Sequence, residues 1–180
     1  VAEMAFATGG TGMAEFEQRQ GEARLPFDPA ERKPDAGLVF IGKVSSPWLR
    51  REDCPKNLRQ ARERDRTASI IIEEPYRPAL AGLRAGDYCH VLSWLHHAPR
   101  DLISQKPRHL ETAKGTFALR SPVRPNPIGL HTVRIVSLDH QRGTIEMDAI
   151  DLLDGTPVLD LKPYYPSIDA FAEASGGAKD

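Results

Sequence analysis

The stretch "LRSPVRPNPIGLH", residues 119–131, places three prolines in thirteen positions. Pro122, Pro125 and Pro127 each fix φ near −65°, remove a backbone donor and push the preceding residue toward extended conformations. Helix and central strand are therefore both excluded across the prolines, up to residue 127. Ser121, Arg124 and Asn126 fall in a nearly pre-set, polyproline-like run. The side chains of Arg120, Arg124 and Asn126 are held there at low entropic cost. Gly129 then permits a sharp bend or a close backbone approach. Such a loop suits a small ligand; a stiff surface connection with solvated arginines fits the composition equally well.

Around this loop the chain is punctuated as a β protein. "GLVFIGKVSSP", "SIIIEEPY", "YCHVLSWLHH", "GLHTVRIVSL" and "TIEMDAI" are short apolar or alternating runs separated by Gly, Asp and Pro turns. "DHQRG" predicts one hairpin turn, and Asp154-Gly155 in "DLLDGTPVLDLKPYYP" predicts another. Few long helical patterns occur. The expected fold is mainly β: a small single-domain, closed or nearly closed β-barrel with short helices, since closure removes exposed edges. Residues 1–36 read as a weakly structured, flexible N-terminal arm, 37–168 as the barrel domain and 169–180 as a C-terminal tail.

The chain has 180 residues and a net charge of −1, with 27% charged residues, so no global basic field marks a nucleic-acid protein. The basic character is local. "RREDCPKNLRQARERDRTA" holds seven Lys/Arg against four Asp/Glu. A helix over 57–66 would put Arg59, Arg62 and Arg66 on one face, where they suit RNA phosphates or simply water. Cys54 and Cys89 are far apart and fit reduced thiols. No apolar run reaches the ~18 residues of a membrane span and no signal peptide is visible, so a cytoplasmic protein without membrane contact is expected.

Several chemistries find no support. No G-x-G-x-x-G follows a predicted strand, and "GGTG" lies in the arm. His96 and His97 invite a metal, but neighbours on a strand point to opposite faces, so no metal is expected and a ligand-pocket contact fits better. "DGTP", Asp154 to Pro157, is either a plain hairpin turn or an acid, an exposed backbone and a hydroxyl arranged to grip a ribose or an amino-acid head group.

"GTFALRSPVRPNPIGL" followed by "DLLDGTPVLDLKPY" resembles the paired signature of the TrmO family, also called TsaA-like or YaeB-like, and "FIGKVSSP" resembles its opening strand. The likeness spans about residues 38–167. It implies S-adenosylmethionine-dependent methyltransferase activity on a small β-barrel. It also implies a homodimer and methylation of N6 of threonylcarbamoyl-adenosine beside the anticodon of tRNA. Carried over by motif, Arg120 and Leu130, Asp154, Gly155, Thr156 and Pro157, and the His96-His97 pair should contact the cofactor. The family's Pro-Arg-Gln segment is represented here by Pro55, Lys56 and Asn57. A glycine- and arginine-rich stretch of the family is replaced by "DLISQKPRHLETAKGTF", where Arg108 and His109 are possible substitutes. Asn126 is the candidate catalytic group, accepting a hydrogen bond from the N6 amine beside proline-flanked carbonyls left uncontested. Arg59, Arg62, Arg66 and Arg124 are the candidates for the tRNA anticodon arm. A methyltransferase acting on a small molecule and a non-catalytic RNA- or nucleotide-binding barrel stay open as alternatives.

Overall fold

Along β4 (Tyr88–Trp94) every second residue, Cys89, Val91 and Ser93, is buried. The same two-residue period buries Gly129, His131, Val133 and Ile135 in β7 (Ile128–Asp139), and Ile145 and Met147 in β8 (Thr144–Met147). Such faces must meet one another, and here they do so by closing a ring. In this computed structural model, which describes residues 18–107, 111–171 and 173, β2 (Gly42–Ser45), β3 (Ala68–Ile72), β8, β7, β4 and β9 (Pro157–Pro163) form a closed barrel in that order. Every neighbouring pair is antiparallel. Val44, Ile70, Ile72, Val91, Val133, Ile135, Ile145, Met147 and Val158 fill the interior. A barrel of mainly β character was the expected fold, and it is the observed one.

A smaller sheet, β1 (Ala23–Arg24), β5 (Leu102–Gln105) and β6 (Lys114–Gly115), sits within the long connection between β4 and β7 and the segment before β2. Its interior sets polar Gln105 and Thr116 beside apolar Leu102 and Val123, and the polar groups are satisfied. Gln105 donates from Nε2 to Thr116 Oγ1 (2.9 Å) and to the Val123 carbonyl (2.6 Å), and Thr116 donates to the Leu102 carbonyl (2.9 Å). Order therefore begins earlier than residue 37. Arg24 pairs with Asp101, and Glu22 accepts from the Lys106 amide at 2.9 Å. A two-residue strand has no period for a sequence to display, so the expected arm concealed it. Residues 1–17, 108–110, 172 and 174–180, with Arg108, His109 and most of the expected tail, lie outside the described residues.

Two further expectations are corrected. Asp154-Gly155 does turn, with Gly155 at φ 75°, but it joins no paired strands. β8 pairs with β3 and β7, whereas β9 pairs with β2 and β4. Barrel closure, a long-range demand, overrides the local hairpin signal. The helix expected over 57–66 is the shorter α1 (Leu58–Glu63): Asn57 caps it by accepting from the Gln60 amide (2.9 Å), and Asp65, in the left-handed region at φ 47°, follows its end before Arg66. A second short helix, α2 (Pro166–Asp169), follows β9. Among the described residues no helix is long and apolar enough to cross a membrane.

Candidate active site

In an antiparallel barrel the C-terminal ends of β2, β4 and β8 and the N-terminal ends of β3, β7 and β9 share one rim. The connections 46–67, 95–127 and 148–156 all cross that rim. Between them they carry Pro55–Asn57, His96-His97, the proline loop and the Asp154–Pro157 turn, and so bring together blocks up to a hundred residues apart in sequence.

Hydrogen bonds tie the connections to each other. Asp154 Oδ1 accepts from the Ser46 amide at 3.0 Å, and Ser46 Oγ donates to the Leu152 carbonyl at 2.8 Å. Trp48 Nε1 donates to the Ile150 carbonyl (2.9 Å), and the Gly155 amide donates to the Val44 carbonyl (2.9 Å). Thr156 is buried and spends its hydroxyl on the Leu153 carbonyl at 2.7 Å. The expected grip of acid plus hydroxyl is thus reduced: Thr156 shapes the turn, while Asp154 and Gly155 are exposed on it.

Beneath the rim the barrel lining turns polar. His131 Nδ1 donates to Asp151 Oδ1 at 2.8 Å, the only sense possible against a carboxylate. Ser93 Oγ lies 3.4 Å from His131 Nε2. Ser93 is 0% and His131 8% exposed, so this Ser–His–Asp row presents no nucleophile to solvent. Gly129 packs directly on it. A Cβ there would fall 2.4 Å from Ser93 Oγ and 2.6 Å from His131 Nε2, which makes close approach the reason for this glycine.

The proline loop spends its own carbonyls. Arg124 Nη1 donates to Leu119 and Ser121, both at 3.3 Å, and Arg120 Nη2 donates to Leu130 at 2.7 Å. Arg100 Nε donates to Pro125 at 2.6 Å, the Ile128 amide to Asn126 at 2.7 Å and the Leu95 amide to Pro127 at 2.8 Å. The expectation of uncontested carbonyls therefore fails, because donors from within the run and, at Pro125 and Pro127, from outside it take them. Arg100 also donates from Nη2 to Asn126 Oδ1 (3.2 Å) and lies over the Trp94 ring at 5.5 Å. No sequence signal distinguished Arg100, Ser93, His131 or Asp151.

His96 and His97 stand beyond the end of β4, in a turn and not on the strand as expected. Their ring centroids lie 3.7 Å apart with the planes tilted by 44°. Burial, and then the neighbouring His97, push the His96 imidazole below its ordinary range, which favours the neutral ring. Among the described residues no cluster of three or more His, Cys, Asp or Glu could hold a metal.

The basic window divides. Arg62 braces the barrel, donating to Asp148 Oδ2 (2.8 Å) and to the Thr132 carbonyl (3.1 Å). Arg64 donates to the Asp53 carbonyl and lies over Trp48 at 5.1 Å. Arg62 and Arg124 thus each spend donors within the chain, although Arg62 stays exposed. Arg59 is exposed beside Glu63 (4.0 Å), and Arg66 is exposed past the helix. Lys56 and Asn57 serve the start of α1, Lys56 through its amide to Gln60 Oε1 (3.0 Å), with Pro55 buried before them.

Residues 43–170 match the family described as the tRNA-methyltransferase O N-terminal domain. The chain is 41% identical over 129 residues to "Probable S-adenosyl-L-methionine-binding protein VirR" of Rhizobium radiobacter, covering 72% of this chain and 71% of that one. It is 37% identical over 139 residues to the "S-adenosyl-L-methionine-binding protein" of Archaeoglobus fulgidus, covering 77% and 96%. The crystal structure of TrmO from Pseudomonas aeruginosa superposes with a TM-score of 0.63 at 33% identity, covering 80% of this chain. The chain spans 62% of the length of that structure.

Proposed function

Because this chain belongs to the TrmO family, we propose that it is an S-adenosylmethionine-dependent methyltransferase that methylates N6 of threonylcarbamoyl-adenosine next to the anticodon in tRNA. The observation that carries this reading is the convergence of the family's sequence blocks on one barrel rim.

The residues at the rim fit the cofactor. Arg120 spends Nη2 on the Leu130 carbonyl and is exposed, so its remaining donors suit a carboxylate. The His96 ring, held toward its neutral form, lies against a cationic ligand without repelling it. Asp154 and Gly155 present carboxylate and backbone to a ribose, on a turn shaped by Thr156 and Pro157. Leu130, His97 and the Pro55–Asn57 segment complete the lining. The cofactor supplies an electrophilic methyl group on a sulfonium. The chain's own contribution is to align the acceptor amine and exclude water, an effect that reaches about 7–11 kcal/mol in well-oriented systems. Asn126, at the apex of the pinned loop, contacts the acceptor base. Arg59 and Arg66 meet phosphates of the anticodon arm. The working unit is a cytoplasmic homodimer, which light scattering would reveal.

Calorimetric titration of S-adenosylmethionine into wild type and Arg120→Ala tests the cofactor, with the variant expected to bind at least about tenfold more weakly. Methyl incorporation into tRNA bearing or lacking the threonylcarbamoyl group tests the substrate. Cofactor binding with no transfer to either tRNA redirects the reading to a small-molecule acceptor. No binding by the folded chain removes the methyltransferase reading.

A further inference from the structure

We propose that Arg100 locks the Asn126 carboxamide so that Asn126 serves the site as a hydrogen-bond donor. It would then read a carbonyl or carboxylate oxygen of the ligand instead of drawing on the reacting amine's proton. This inference rests on the methyltransferase reading above and assigns a role to a residue of the same site.

The orientation follows from the donor inventory. A guanidinium has five N–H donors and no acceptor, so the Asn126 atom 3.2 Å from Arg100 Nη2 must be the oxygen. Arg100 is itself fixed, by its 2.6 Å bond to the Pro125 carbonyl and by lying over Trp94. On the other side Pro125 and Pro127 fix the backbone, and the Ile128 amide closes on the Asn126 carbonyl at 2.7 Å. The carboxamide oxygen therefore faces a cation, and the two Nδ2 hydrogens are the donors this exposed side chain has to offer. An oxygen already polarised by a guanidinium is a poor second acceptor for a weakly acidic amine. Such N–H groups beside a positive charge match an oxygen acceptor, above all an anionic one. Two ligands at this rim offer one: the aminoacyl carboxylate of the cofactor and the carbonyl or carboxylate groups of a modified nucleobase.

Asn126→Asp separates structure from recognition. The aspartate still accepts from Arg100 and gains an ion pair, so the melting temperature should hold or rise. The group presented to the ligand becomes an anionic acceptor, so ligand binding should fall at least about tenfold, and further than in Asn126→Ala. Calorimetry with S-adenosylhomocysteine, and with 5′-methylthioadenosine, which lacks the aminoacyl group, locates the partner. A loss confined to S-adenosylhomocysteine identifies the cofactor carboxylate; a rise in KM for tRNA at unchanged cofactor affinity identifies the base. In an Arg100→Met background Asn126→Ala should lose less than in wild type. Asn126→Asp equal to wild type, or better than Asn126→Ala on both ligands, overturns the donor role. Strict additivity overturns the part given to Arg100. A wild-type chain that binds neither cofactor analogue nor tRNA overturns the methyltransferase reading, and the inference with it.

Discussion

His131 and Asp151 join across 2.8 Å, tying β7 to the connection that ends in the Asp154–Gly155 turn. The imidazole is nearly enclosed, so its Nδ1 proton has no ready alternative in water. Asp151→Ala should lower stability by about 1–3 kcal/mol, and Asp151→Asn, which keeps an acceptor oxygen, by less. Urea titrations of the three proteins check this; equal losses in the two variants would assign the effect to the charge alone.

Gly129→Ala should destabilise by a comparable amount, about 1–3 kcal/mol, through overpacking against Ser93 and His131. The double variant with Ser93→Ala removes one of the two clashing atoms and should lose less than the sum of the singles. Unfolding midpoints of the four proteins read the coupling, and strict additivity would disprove the contact.

Arg59 and Arg66 should act differently from Arg62. Replacing Arg59 and Arg66 with glutamine should flatten the salt dependence of tRNA binding by roughly 1.5 in log–log slope while leaving cofactor affinity unchanged. Arg62→Gln should cost up to about 1 kcal/mol of stability through the lost Asp148 pair. It should leave the slope nearly intact. Filter binding across a salt series distinguishes the two, and an unchanged slope at Arg59 and Arg66 would mean a solvated face.

Burial raises the thiols of Cys54 and Cys89 to about 11 from an ordinary value of 9.0. At pH 8 each should alkylate on the order of a hundredfold more slowly in the native chain than in denaturant. The folded state also holds these protons when the unfolded chain has released them. The stability this contributes is complete below pH 9 and is lost as pH rises from about 9 through 11. Iodoacetamide kinetics and urea midpoints between pH 8 and 11 test both statements; a flat pH profile would contradict them.

The fold class and the family were legible because their signals are local in sequence. Three prolines exclude helix whatever surrounds them. The alternation in "TIEMDAI" buries Ile145, Met147 and Ala149 as its period requires. The TrmO-like blocks identified the family, and strand order then set those blocks along one barrel rim. What proved illegible depends on partners far away in the chain. The short strand at Ala23 exists because β5 offers an edge, pairing Ala23 with Ser104 and Arg24 with Leu102. Arg62 is a brace because Asp148 lies 86 residues on, and nothing in its own neighbourhood separates it from Arg59. Asn126 faces its oxygen to Arg100 across 26 residues.

Local sequence, then, determined backbone propensities, burial periods and the identity of the chemical blocks, since each is set by φ/ψ restriction and solvation within a few residues. Strand pairing, the non-hairpin role of Asp154-Gly155 and the partners of the arginines were decided by tertiary structure. Closing a six-stranded ring satisfies every edge at once, and that long-range requirement outweighs any single turn signal.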